Sequence, residues 1–72
     1  MTNATRTYEH VLAMHDNGDS DRAISDYLMD LEGRPGGPVA SRAADGRITF
    51  EFDGGERIVL NQGRWRYERA AG

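Results

Sequence analysis

The chain has no cysteine. Disulfides and thiolate zinc sites are therefore excluded as staples, and no thiol is present to act as a nucleophile. The absence fits a reducing cytoplasm. Lysine is absent too, so all nine basic residues are arginine. No apolar run approaches the ~18 residues of a membrane-spanning helix, and the N-terminus lacks a secretory leader pattern. A cytoplasmic protein that does not cross a membrane is expected, and Met1 to Gly72 reads as a complete small frame. What remains is one domain of 72 residues. A chain this short buries only about 60% of its unfolded surface, which leaves little room for a deep cleft with a supporting shell. Packing, a partner or self-association must supply the stability.

Charge is present but unevenly placed. The net charge is −3. Residues 1–33 carry seven acids and two arginines, or −5, while residues 34–72 carry five acids and seven arginines, or +2. An acidic first half is followed by a mildly basic second half.

The first half reads as two helices within residues 5–32. Residues 1–4 are expected to fray. Thr5 or Thr7 caps a first helix to about Asn17, with Tyr8, Val11, Leu12 and His15 at i, i+3, i+4, i+7 spacing. Asn17-Gly18 ends it. Asp19 or Ser20 caps a second helix to about Glu32, with Ile24, Tyr27, Leu28 and Leu31 as its apolar stripe. Gly33 and Pro35 stop that helix, and residues 33–38 form a Gly/Pro linker.

The second half reads as a β-meander over residues 39–69. Strands are expected near 38–43, 47–52, 57–61 and 64–69, with Asp45-Gly46 as a two-residue hairpin turn. Ile48, Phe50 and Phe52 alternate with Thr49 and Glu51, and Trp65 and Tyr67 alternate with Arg64, Arg66 and Glu68. A period of two separates an aromatic face from a charged face. The expected fold is α+β: an N-terminal helical hairpin packed on a three- or four-stranded antiparallel meander. The expected core is Val11, Leu12, Ile24, Tyr27, Leu28, Leu31, Ile48, Phe50, Phe52, Ile58, Leu60, Trp65 and Tyr67, with Ile58 and Leu60 preferred over Val59. Met14 and Met29 lie off the main stripes and suit an interface.

Gly18 to Leu28 resembles the opening of the bacterial helix-turn-helix family, with Ala23, Ile24 and Leu28 at its packing places. That resemblance implies a small DNA-binding regulator of helix-turn-helix or winged type, which is the alternative reading. Where the family has its recognition helix, this chain has Gly33-Arg34-Pro35-Gly36-Gly37-Pro38, which cannot form one. The same stretch lacks the Gly-Lys-Ser/Thr ending of a phosphate loop. Arg57, Arg64, Arg66 and Arg69 lie near Trp65 and Tyr67, but alternation puts Trp65 and Tyr67 on the face opposite Arg64 and Arg66, so core aromatics under a charged face are preferred to a base-stacking platform. Direct nucleic-acid binding is not expected.

His10 and His15 are five apart and diverge by about 140° on a helix. The zinc-protease spacing is absent, and Ser20, Ser25 and Ser41 lack a glycine elbow. His15 is expected to border the core and His10 to be exposed. No catalytic residue, metal or cofactor is assigned, and the chain is read as a non-enzyme.

Asp16, Asp19, Asp21, Asp26, Asp30 and Glu32 place six carboxylates within 17 residues. A row of this kind serves solubility. It also imitates a phosphate backbone, since Asp26 and Asp30 stand about 6 Å apart, one turn of helix. In size, build and acidic helices the chain resembles the small inhibitors encoded by phages and mobile elements, including anti-CRISPR proteins. The resemblance implies a protein partner with a basic nucleic-acid-binding surface, such as a CRISPR effector subunit. It implies steric blocking in a host bacterial cell by a monomer or homodimer, with the six carboxylates as the contact set.

Overall fold

A computed structural model describes residues 3–69. Helices α1 (Asn3–Asp16) and α2 (Asp21–Glu32) precede strands β1 (Val39–Arg42), β2 (Ile48–Glu51), β3 (Arg57–Asn61) and β4 (Arg64–Glu68). The strands form one antiparallel sheet in the order β1-β2-β3-β4. The α+β meander read from the sequence is the observed architecture, with four strands.

Helix α1 begins earlier than a cap at Thr5 or Thr7 allows. Both threonines lie inside it, and Thr7 Oγ1 donates to the Asn3 carbonyl at 2.7 Å. Of the expected frayed end, residues 1 and 2 lie outside the described residues, whereas Asn3 and Ala4 are helical. Ala4 is only 1% exposed and anchors an inward stripe with Val11, Tyr8 and Met14. This corrects three expectations. Leu12 is 41% exposed, because it lies about 100° further round the helix than buried Val11. His15 is exposed, because it sits in the last turn of α1 beside an open groove whose other wall is Gly63 and Arg64. Met14, expected off the stripe, packs against the core instead.

Ser20, rather than Asp19, caps α2. Its backbone is extended, and its Oγ accepts from the Ala23 N–H at 3.1 Å. Ile24 and Leu28 are fully buried, with Tyr27 and Leu31 packed at the margin. After α2 the chain folds back so closely that a Cβ on Gly37 would lie 1.8 Å from the Leu31 carbonyl oxygen. Glycine is required there, and buried Pro38 then leads into β1.

Strand register sorts the sheet into two faces. Ala40, Phe50, Ile58 and Tyr67 form one helix-facing row, and Arg42, Ile48, Leu60 and Trp65 form the next. Phe50 and Ile58 are fully buried, and burying such side chains stabilises by roughly 1.5–3 kcal/mol each. The other face carries Ser41, Thr49, Val59 and Arg66, then Val39, Glu51, Arg57 and Glu68. Val59 corrects the expected core: it is 4% exposed although it faces away from the helices, in register between Thr49 and Arg66.

The β1–β2 connection differs from the expected two-residue turn. It has three residues, Ala44 to Gly46, closed by Ala43 N–H to the Arg47 carbonyl at 2.8 Å and Gly46 N–H to the Ala43 carbonyl at 3.0 Å. Its last residue, Gly46, has φ +91°, which a three-residue loop needs at that place. The two-residue turn occurs instead at Gln62–Gly63, with φ +52° and +76°.

Candidate partner-binding site

Helical periodicity directs the exposed side of α2. Asp26 and Asp30 each lie two residues, about 200°, past a fully buried neighbour, Ile24 and Leu28. Both are exposed. Asp30 pairs with Arg34 at 2.8 Å, with side chains 66% and 64% exposed. Such a pair is worth ~1 kcal/mol or less and is easily opened. Asp16 is exposed and Asp19 half-buried at the α1–α2 corner.

The remaining two carboxylates of the sequence-derived set hold the fold together. Asp21 Oδ1 accepts from the indole Nε1–H of Trp65 at 3.1 Å, which ties the start of α2 to β4. Glu32 Oε2 accepts from the Ala40 N–H at 3.1 Å, which ties the end of α2 to β1. Of the six, Asp21, Asp30 and Glu32 thus each have one oxygen engaged, and Glu32 and Asp30 are nonetheless exposed. Asp16, Asp19, Asp26 and Asp30 remain as the outward set, and Asp21 and Glu32 flank it with one oxygen each engaged.

Beside Asp26 the helix leaves part of the sheet uncovered. Two adjoining grooves, about 440 and 250 Å³, run between α2 and the sheet. Met29 and Ile48 line both; Leu60 extends the apolar floor of one and Ala40 that of the other. Met29 is 44% exposed. Arg22, Asp26 and Arg42 form the rim. Arg42 escapes a sequence reading of the site. Its register places it on the helix-facing side, where strand alternation predicts an apolar residue. Met29 off the α2 stripe was the one local signal of this groove.

The histidines do not converge. His10 rests on Tyr27, ring centroids 4.7 Å apart, and His15 lines a different groove with Leu12 and Trp65. Among the described residues, no group of three His, Asp or Glu side chains is arranged to hold a metal ion. No helix among them is long and apolar enough to cross a membrane. Two tyrosines have raised pKa values. Burial raises that of Tyr27, with Arg34 opposing, and for Tyr67 the main cause is its hydrogen bond to Glu56.

The sheet's outer face is mixed in charge, with Glu51 and Glu68 among its arginines. Arg57, Arg64 and Arg66 are exposed there, while Trp65 and Tyr67 pack against the core. Comparison with protein-family models, with curated proteins and with solved structures found no match.

Proposed function

We propose that the protein is a non-enzymatic, protein-binding inhibitor that acts by covering a basic surface of its partner. The observation that carries this reading is the pairing of exposed carboxylates with an exposed apolar floor on one side of α2. Asp26, which shares the groove rim with Arg22 and Arg42, and Asp30, which holds Arg34, supply the carboxylates, and Met29 with Ile48 and Leu60 supplies an apolar anchor. Carboxylates steer a basic partner and speed encounter, and a desolvated apolar centre supplies most of the affinity. Asp16 and Asp19 extend the charged rim, and Asp21 and Glu32 flank it. The resemblance to small inhibitors implies action in a bacterial cytoplasm on a nucleic-acid-binding subunit of a CRISPR effector.

A second reading is binding to nucleic acid through the outer sheet face, favoured by the exposed Arg57, Arg64 and Arg66. One experiment separates the two. The intact protein and its Asp26→Arg/Asp30→Arg variant are used to capture partners from bacterial lysate, with and without nuclease. The inhibitor reading expects one protein complex that survives nuclease and is lost by the charge-reversed variant at unchanged helix content. Equal capture by the folded variant would sink it. Capture that disappears with nuclease, together with salt-sensitive retardation of duplex DNA, would favour the second reading.

A further inference from the structure

The two edges of the sheet differ. On the β1 edge, Ala43 donates inward to Arg47, so alternation turns the backbone groups of Ala40 and Arg42 outward. That edge is guarded. Glu32 takes the Ala40 N–H, and Pro38, just before the strand, has no N–H to offer. On the β4 edge, the tight Gln62–Gly63 turn closes on the pair Asn61–Arg64. Arg64, Arg66 and Glu68 therefore bond inward to β3, and Trp65 and Tyr67 turn their N–H and C=O groups outward. The Tyr8 hydroxyl donates to the outward Trp65 carbonyl at 3.3 Å. Among the described residues, no hydrogen bond reaches the outward N–H and C=O of Tyr67. β4 is a five-residue strand without proline; its charged side chains Arg64, Arg66 and Glu68 are one of the usual protections of an edge, but of its outward backbone groups Tyr8 covers the Trp65 carbonyl alone.

We infer that β4 is a self-pairing edge: two copies join β4 to β4 in antiparallel fashion about a twofold axis at Tyr67, making one continuous sheet. The charges select this register. Outward groups must meet outward groups, so the axis falls on a residue: Trp65, which sets Arg64 against Arg66 of the second copy, or Arg66, Tyr67 or Glu68. An axis at Arg66 sets that arginine against its own copy, and an axis at Glu68 sets two carboxylates together. An axis at Tyr67 sets Arg66 opposite Glu68 of the second copy, and Glu68 opposite Arg66 of the second copy. Both residues lie on the outer face, away from the helices, and within one chain they already approach to 3.9 Å. Opposite charges directly across an antiparallel pair stabilise it, and like charges destabilise it. In the same register Tyr67 exchanges backbone bonds with Tyr67 of the second copy, and the Trp65 N–H meets the carbonyl of Arg69 of the second copy while the Trp65 carbonyl stays with Tyr8. The pairing leaves the exposed side of α2 uncovered and does not depend on the inhibitor reading.

Sedimentation velocity over a concentration series tests the inference. Wild type should shift from 8.0 kDa toward twice that mass. Arg66→Glu or Glu68→Arg alone should weaken the dimer by about tenfold or more, because each creates two like-charge pairs across the axis. The double exchange, Arg66→Glu with Glu68→Arg, should restore it. A second measurement uses the absence of native cysteine. An oxidised mixture of Arg66→Cys and Glu68→Cys proteins should give a disulfide-linked dimer, while neither alone should, because like positions lie more than about 7 Å apart in this register. Wild type that stays monomeric at millimolar concentration overturns the inference and leaves the edge to a foreign strand. A dimer indifferent to the single charge changes, or a double exchange without rescue, overturns it equally.

Discussion

Of the three glycines between α2 and β1, Gly33 and Gly37 have different physical reasons to be there. Gly37 has the Leu31 carbonyl oxygen where its Cβ would be, at 1.8 Å, and backbone cannot move aside as a flexible side chain could. Gly37→Ala should therefore lose at least about 2 kcal/mol of stability. Gly33 has φ −82° and nothing within 4 Å of its would-be Cβ. Gly33→Ala should be neutral or should stabilise by about 0.4–1 kcal/mol through the unfolded chain. Urea denaturation of the two variants checks the contrast, and equal losses would remove the close-approach explanation. The sequence marks Gly33 to Pro38 as a turn, but it does not separate these glycines, because the difference is a single distance to Leu31. The same limit applies to the acidic set. Periodicity directs Asp26 and Asp30 outward from neighbouring Ile24 and Leu28. It says nothing of Asp21 meeting Trp65, 44 positions on.

Elements are joined here by side chains that cross between them. Tyr67 on β4 donates its hydroxyl to Glu56, which stands just before β3, and its ring lies 5.7 Å from Tyr8 on α1. The hydrogen bond to Glu56 raises the Tyr67 pKa above its ordinary 10.0. A raised folded-state pKa favours the neutral phenol in the folded state. Its stabilising effect is complete below about pH 10 and is lost as pH climbs through the raised value. Stability measured from neutral pH to about pH 11 should fall at the alkaline end. Tyr67→Phe should lower the neutral plateau and flatten that fall, leaving a residue of it from Tyr27, whose burial also raises its pKa. An identical alkaline slope in the variant would show that the Glu56 contact does not join the elements energetically. The alternation of Arg64, Trp65, Arg66 and Tyr67 made the two faces of β4 legible. The state of its edge was not legible, because Tyr8 approaches from 57 positions away. The rotation of α1 is not fixed by the sequence at Leu12 for a related reason. Spacing alone allows Tyr8, Val11, Leu12 and His15 as a stripe, and only contact with the sheet selects Ala4, Tyr8, Val11 and Met14.

At the scale of the molecule, one cluster carries the fold. It takes Ala4 and Val11 from α1, Ile24 and Leu28 from α2, Phe50 from β2, Ile58 from β3 and Trp65 from β4. Trp65 touches both layers. Its ring stacks with Phe50 at a centroid separation of 6.4 Å, and its indole N–H bonds to Asp21 on α2. Among the described residues neither layer has a second core to stand on. Isolated helices of 14 and 12 residues are marginal in water, and a meander with its aromatic face uncovered exposes Phe50, Ile58 and Trp65 together. Helices and sheet should therefore be lost in one step. The indole is the only tryptophan, so its fluorescence reports the junction while far-UV circular dichroism reports the helices. The two thermal transitions should coincide. Asp21→Asn, which keeps an acceptor for the indole, should shift both together by a small amount, whereas Asp21→Ala should lower both together by more. Helical signal that disappears before the fluorescence change would mean that the sheet holds its own core without α1 and α2, contrary to the single cluster. That outcome would also detach the carboxylates of α2 from the sheet floor of Ile48 and Leu60, on which the proposed contact surface depends.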